Sequence, residues 1–175
     1  MAYTLEQFCG DCTAIVKASP RIQTGLPQIA EKLKQLLVNR DFIAATFSDD
    51  TPPGKRELYH DRDTDYYVMA HVQEAGKAGS PHSHGASWAI YGNVLGTTEM
   101  TEWRRVNPES EDHAVLEAEE KYGIGPGQSR AYGPNVIHST AHQEKCWVIR
   151  ITGGDLDKIP RFHFHPRKDK ILEKA

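Results

Sequence analysis

The side chains best placed to do chemistry are histidines. His82 and His84 close the run Gly76-Lys77-Ala78-Gly79-Ser80-Pro81-His82-Ser83-His84, and a lone His138 follows on a distant segment. Two histidines at i and i+2 on a strand point to one face, because side chains alternate across the pleat. A third imidazole from another strand can then close one side of a metal ion and leave other positions open. Open positions separate a catalytic ion from a structural one. An isolated His-x-His is commonly just a surface or core pair; the glycine spacing and the distal histidine favour ligands here.

Other chemistry-bearing groups have blander readings. His163-Phe164-His165 lacks the glycine frame and reads as a strand with Phe162 and Phe164 packed inward and the histidines facing elsewhere. His142 reads as a support for a ligand or as a hydrogen-bonded loop histidine, and His71 as a core or a pocket-lining residue. Cys9 and Cys12 have CxxC spacing, which suggests redox or zinc chemistry. Zinc would need two further ligands, and Cys146 is the only other cysteine. Cys12 also fits a buried helical stripe. Trp88, Tyr91 and Trp103 read as packing or pocket lining, and Arg104-Arg105 as a solvated strand end.

The elements that must position these groups are two helices followed by short strands. Thr4-Leu5-Glu6-Gln7 has the form of a capping box, and Leu5, Phe8, Cys12, Ile15 and Val16 follow helical spacing to about Lys17. A second helix is expected from Pro27, with Ile29, Leu33, Leu36 and Leu37 as its apolar stripe. Asp49-Asp50-Thr51-Pro52-Pro53-Gly54 breaks the chain. Strands are expected at Arg56–Tyr59, Tyr66–Val72, Trp88–Leu95, Thr97–Trp103, Ala114–Lys121, Ser129–Tyr132 and Trp147–Thr152, punctuated by Gly and Pro. Such short, closely spaced strands suggest an antiparallel sandwich or barrel.

The totals bound the function classes. A chain of 175 residues reads as one domain: a helical attachment over 1–40, a β-barrel over 41–167 and a fraying tail over 168–175. A net charge of −3 gives no polycationic footprint for nucleic acid. Met1 to Glu6 lacks the basic start and apolar run of a secretory leader, and no stretch approaches the roughly 20 apolar residues of a membrane span. Three cysteines argue against a disulfide framework. A cytoplasmic protein without nucleic-acid or membrane partners is expected, and exposed strand edges would permit a homodimer.

The pattern of Gly76, His82-Ser83-His84 and Gly96 resembles the first motif of the cupin family. The run from Gly127 to His138 resembles the second, with Gly133-Pro134-Asn135 replacing the usual Pro-x-Gly order. The resemblance implies an all-β cupin jelly-roll barrel with two N-terminal α-helices, in which His82, His84 and His138 meet around a metal. Most cupins add a glutamate ligand four or five residues after the second histidine, where this chain has Trp88 and Ala89. The site would then hold neutral histidines alone and leave a divalent ion its full charge.

Within the cupins this arrangement resembles the thiol dioxygenases of the cysteine dioxygenase type. That implies Fe(II), with zinc or nickel as alternative bound metals, and a small anionic substrate oxidised with O2. An arginine at the position of Arg56 pairs with the substrate carboxylate in that family, although an ordinary salt bridge is an equal reading here. The family's downstream Ser-x-His-x-Tyr has no counterpart: the matching strand reads Trp147-Val148-Ile149-Arg150-Ile151-Thr152, so Arg150 is expected to enter the pocket in place of the tyrosine. The alternatives are another three-histidine metallocupin (a β-diketone-cleaving dioxygenase or an isomerase) and a non-catalytic ligand-binding cupin.

Overall fold

The computed structural model describes residues 2–165 and the backbone of 170–174. Thr4 closes the start of α1 (Leu5–Ala18) as its sequence predicts: the hydroxyl accepts from the Gln7 N–H, and the Gln7 side chain accepts from the Thr4 N–H. The second helix, α2 (Ile22–Leu37), starts at Ile22 rather than at Pro27. Pro27 lies on its exposed side, where the Gln23 carbonyl that loses its intrahelical donor can turn to water. A third helix, α3 (Arg40–Thr46), joins the two expected ones. The Asn39 side chain caps it by accepting from the Asp41 and Phe42 N–H groups. So short a helix spans too few residues for an apolar period to register.

Eleven strands follow among the described residues. Those of the larger sheet are β1 (Gly54–Asp61), β2 (Tyr66–Gln73), β4 (Ala89–Leu95), β7 (Ser129–Tyr132) and β9 (Cys146–Gly153), in the order β1-β2-β9-β4-β7. A second sheet has the order β3-β8-β5-β6, built from β3 (Lys77–Ala78), β5 (Thr98–Arg105), β6 (Leu116–Ile124) and β8 (Ile137–His142). The last two strands, β10 (Phe162–His165) and β11 (Lys170–Lys174), form a separate ribbon. All named strand pairs are antiparallel. The fold is thus the expected all-β jelly-roll barrel with N-terminal helices, three among the described residues rather than two. Residues 166–169 and 175, with part of the expected 168–175 tail, lie outside the described residues.

The larger sheet separates two environments by strict alternation. On its outer face Val68, Ala70, Val72, Ile90, Ile149 and Ile151 join the helix stripe of Leu26, Ile29, Leu33, Leu36 and Leu37 in one core. Fully burying each Val, Ile or Leu of this set contributes roughly 1.5–3 kcal/mol. Gly92 lets α2 sit this close: a Cβ there would lie 2.6 Å from Leu37 Cδ1 and 2.8 Å from Leu33 Cδ2. On the inner face, between the sheets, Ala89, Tyr91, Cys146 and Val148 pack with Met100, Ile124 and Tyr132 of the remaining strands. Met69, His71 and Arg150 share that inner face by parity.

Candidate metal centre

His82, His84 and His138 converge in the interior, their ligand atoms all within 4.8 Å of one another. The backbone accounts for the meeting. His82 and His138 form an isolated antiparallel bridge, each N–H donating to the other's carbonyl at 2.9 Å. Partners paired in this way carry their side chains on one face, so the bridge brings two imidazoles together, and His84 adds the third two residues on. The 79–88 segment is not a regular strand. It is held on its other side by β10, through Ser83 N–H to the Phe162 carbonyl at 2.9 Å and Phe164 N–H to the Pro81 carbonyl at 2.8 Å. Gly85, at φ +57°, passes so close to this segment that a Cβ would lie 2.1 Å from the Pro160 carbonyl oxygen.

The unusual Gly133-Pro134-Asn135 order also has a structural account. Asn135 adopts φ 63°, the left-handed conformation that asparagine tolerates better than most residues. Its N–H donates to the Gly85 carbonyl at 2.8 Å, tying the His138 hairpin to the His84 loop. Asn135 thus turns the chain in a conformation otherwise favoured by glycine.

The three side chains suit a divalent cation. Both ring nitrogens of His138 are buried without a hydrogen-bond partner, an unusual state for a native polar group. His82 Nδ1 donates to the Ser80 carbonyl at 3.0 Å, which fixes the ring and leaves Nε2 free for a ligand role. Burial holds His84 neutral down to about 2 and His138 to about 3, with neighbouring histidines adding to the shift. Burial lowers His82 as well. Neutral imidazole is the ligating form. Their ligand atoms, all within 4.8 Å of one another, form a group that could hold one ion. Among the described residues no carboxylate joins the group. Glu102, directly across the strand pair from His138, has its Oε1 taken by the Tyr122 hydroxyl at 2.6 Å and Arg130 at 3.3 Å.

The surrounding residues sort by strand parity. Arg150 faces inward from β9, opposite Met69 and Tyr91, and its Nε is buried without a partner. His71 and His142 are both buried, and both line a cavity beside His82. His71 Nε2 is also unpartnered, whereas His142 Nδ1 lies 3.5 Å from the Thr98 hydroxyl. Tyr91 brings its hydroxyl to 3.4 Å from His84 Nε2. Trp103 is elsewhere, its Nε1–H donating to the Ser139 hydroxyl at 2.9 Å.

Arg56 stands apart from this constellation. Its cross-strand partner is Ala70, which packs in the helix-side core, so Arg56 shares the outer face. Its guanidinium donates to the Thr46 carbonyl at the end of α3, at 2.6 Å. The clamp expected of Arg56 would need the opposite face of β1, where Lys55 and Glu57 stand. One residue of register separates the two outcomes.

The Phe162–His165 segment also departs from expectation. Phe164 is buried but Phe162 is 41% exposed. His163, expected to face elsewhere, stacks on His82 with ring centroids 5.5 Å apart. Arg161, whose Nε is buried and unpartnered near these rings, had no sequence signal beyond its residue type, and His163 had only its place in an unframed His-x-His pair. Cys9 and Cys12 are buried free thiols against the sheet. Burial pushes Cys9 up to about 12 and Cys12 higher still, so neither offers a reactive thiolate. No helix among the described residues is long and apolar enough to cross a membrane.

No protein-family model matches the chain, and no curated protein matches it. Several solved structures do. KdgF from Halomonas sp. is 19% identical over 67% of this chain and 97% of its own, with a TM-score of 0.46. A cupin superfamily protein from Desulfitobacterium hafniense is 12% identical over 66% of this chain and 86% of its own, with a TM-score of 0.45. A cupin-2 domain protein from Shewanella frigidimarina is 15% identical over 67% of this chain and 94% of its own, again at 0.45. Likeness this distant lends the chain no activity.

Proposed function

We propose that the chain is a metallocupin enzyme of the thiol dioxygenase type: a non-haem Fe(II) centre on His82, His84 and His138 that oxidises a small anionic substrate with O2. The observation that carries this reading is the convergence of three imidazoles with, among the described residues, no carboxylate in the group. A bound Fe(II) would supply open coordination positions and electrons for O2 chemistry. The protein's own residues do the rest. His82, His84 and His138 would hold the ion, beside β10 and the Gly85 loop. Arg150 supplies positive charge on the inner face, in place of the outward-facing Arg56. Tyr91 presents a phenol hydroxyl beside His84, from β4 rather than from the strand on which the resembled family carries one.

The test is metal analysis of protein purified without chelator, paired with oxygen uptake across small thiol-carboxylates and β-dicarbonyls. Stoichiometric iron with thiol-dependent uptake supports the proposal; iron without uptake for any substrate contradicts its catalytic half. An all-imidazole ligand set serves zinc and nickel equally well, which favours an isomerase as the second reading. Turnover unchanged under a redox-inert ion and without oxygen would establish it.

A further inference from the structure

We infer that Tyr132 and Tyr122 form a one-electron exit from the histidine centre, with Glu102 as its built-in proton acceptor. The inference rests on the metal reading above and goes beyond it: the centre gains a way to discharge oxidising equivalents when no organic substrate consumes them. Its first support is contact. Tyr132 is buried, and its ring lies 4.9 Å from that of His138, centroid to centroid. Strand register puts it there, because Tyr132 pairs with Ala89 and both pack in the inner core. The second support is a hydrogen-bonded chain running outward. The Tyr132 and Tyr122 hydroxyl oxygens are 2.6 Å apart, and the Tyr122 hydroxyl donates to Glu102 Oε1 at 2.6 Å. An ionised carboxylate only accepts, so Tyr122 gives its single proton to Glu102, and Tyr132 is the donor to Tyr122.

A phenol gives up an electron far more readily when its proton can leave at the same moment to a hydrogen-bonded base. Tyr132 has that outlet. Tyr91, whose ring is 5.7 Å from His138, does not: its hydroxyl meets His84 Nε2 at 3.4 Å, and a neutral imidazole has one lone-pair nitrogen, which the ion would occupy. Arg130 holds the far end of the chain, donating to Glu102 at 3.3 Å and Glu120 at 2.8 Å. Tyr122 is half-buried and lines a surface recess of about 300 Å³ with Lys34, Gln128 and Arg130, where a small one-electron reductant such as ascorbate can meet it. With hydrogen peroxide as the oxidant, Tyr132 supplies one electron and Fe(II), becoming Fe(III), the other; peroxide and two solvent protons become two waters. The Tyr132 proton passes to the Tyr122 oxygen as the Tyr122 proton passes to Glu102, leaving a neutral phenoxyl radical on Tyr132. Tyr122 then transfers a hydrogen atom to Tyr132, which moves the radical to the recess. There ascorbate returns the electron and Glu102 the proton.

The experiment mixes anaerobic, iron-loaded protein with hydrogen peroxide, freezes it within milliseconds and reads the sample by electron paramagnetic resonance, with iron content measured on every sample. Wild type should give a tyrosyl radical signal, and zinc-loaded protein, which cannot change oxidation state, should give none. Tyr132→Phe keeps the ring and removes the hydroxyl; it should lose the signal at full iron content. Glu102→Gln removes the proton acceptor and should weaken the signal severalfold. A chain that serves only to pack the barrel would leave the signal unmoved by either substitution. A signal of wild-type size in iron-loaded Tyr132→Phe therefore overturns the inference. Should Tyr132→Phe fail to fold, Glu102→Gln decides: an undiminished signal overturns it, and a weakened one supports it. Iron-loaded wild type without a tyrosyl signal overturns this inference alone, whereas protein that binds no iron overturns the metal reading and the electron exit together.

Discussion

The two faces of the larger sheet are made by alternate residues of the same strands, yet they differ in almost every physical respect. On the outer face β2 contributes Val68, Ala70 and Val72 and β9 contributes Ile149 and Ile151, all packed under α2. One residue along on each strand, the inner face carries His71 and Arg150, with buried nitrogens that bond to nothing. The outer face is optimised for stability. The inner face gives up stability that an apolar interior would supply, and such concessions are expected where a protein binds or reacts.

That contrast can be broken most severely at the histidines. His138→Ala should abolish stoichiometric metal binding, read by metal analysis, while the helix-side core and the fold stay intact. Acidification acts next. His71, His84 and His138 have folded-state values of about 3, 2 and 3, below the unfolded value of about 6.5. The unfolded chain therefore binds more protons within this window. Stability of the metal-free protein should be fully present above pH 6.5 and decline as pH falls toward 3. The slope should be about 1.4 kcal/mol per pH unit for each such group in mid-window, and chemical denaturation across pH reads it. A flat profile would show that the inner histidines are solvated rather than buried.

The outer face should respond to truncation and not to pH. Leu33 is fully buried, and Leu33→Ala should cost about 2–5 kcal/mol without changing the metal content of the folded protein. The opposite sign is expected inside: His71→Leu replaces an unpartnered buried polar group by an apolar one. It should leave the metal-free protein as stable as wild type or more so, by up to about 1 kcal/mol. Destabilisation by His71→Leu comparable to that of Leu33→Ala would erase the distinction between the faces.

The same contrast governs how much was legible in the sequence. The apolar stripes of α1 and α2 and the Val/Ile-rich strands announced themselves, because the outer core obeys simple periodicity. Ile137-His138-Ser139-Thr140-Ala141-His142 shows no apolar alternation, so β8 had no strand signal, although His138 and His142 both point inward and are buried. The clustering of His82, His84 and His138 was nevertheless readable from their glycine-framed spacing. Arg56 lies on the outer face for a reason the sequence does not display. Residue type and a resemblance named it, but only the register of β1 against β2 decides which face a side chain takes. His71, Tyr91 and His163 acquired meaning only from pairings between distant strands, which a single sequence does not display.

Anomalous diffraction from crystals of the cobalt-loaded protein tests the central claim most directly. The account predicts a single strong peak at about 2.0–2.3 Å from one ring nitrogen each of His82, His84 and His138, with no carboxylate bound. A peak coordinated by other side chains, or none at these rings under saturating metal, would contradict it.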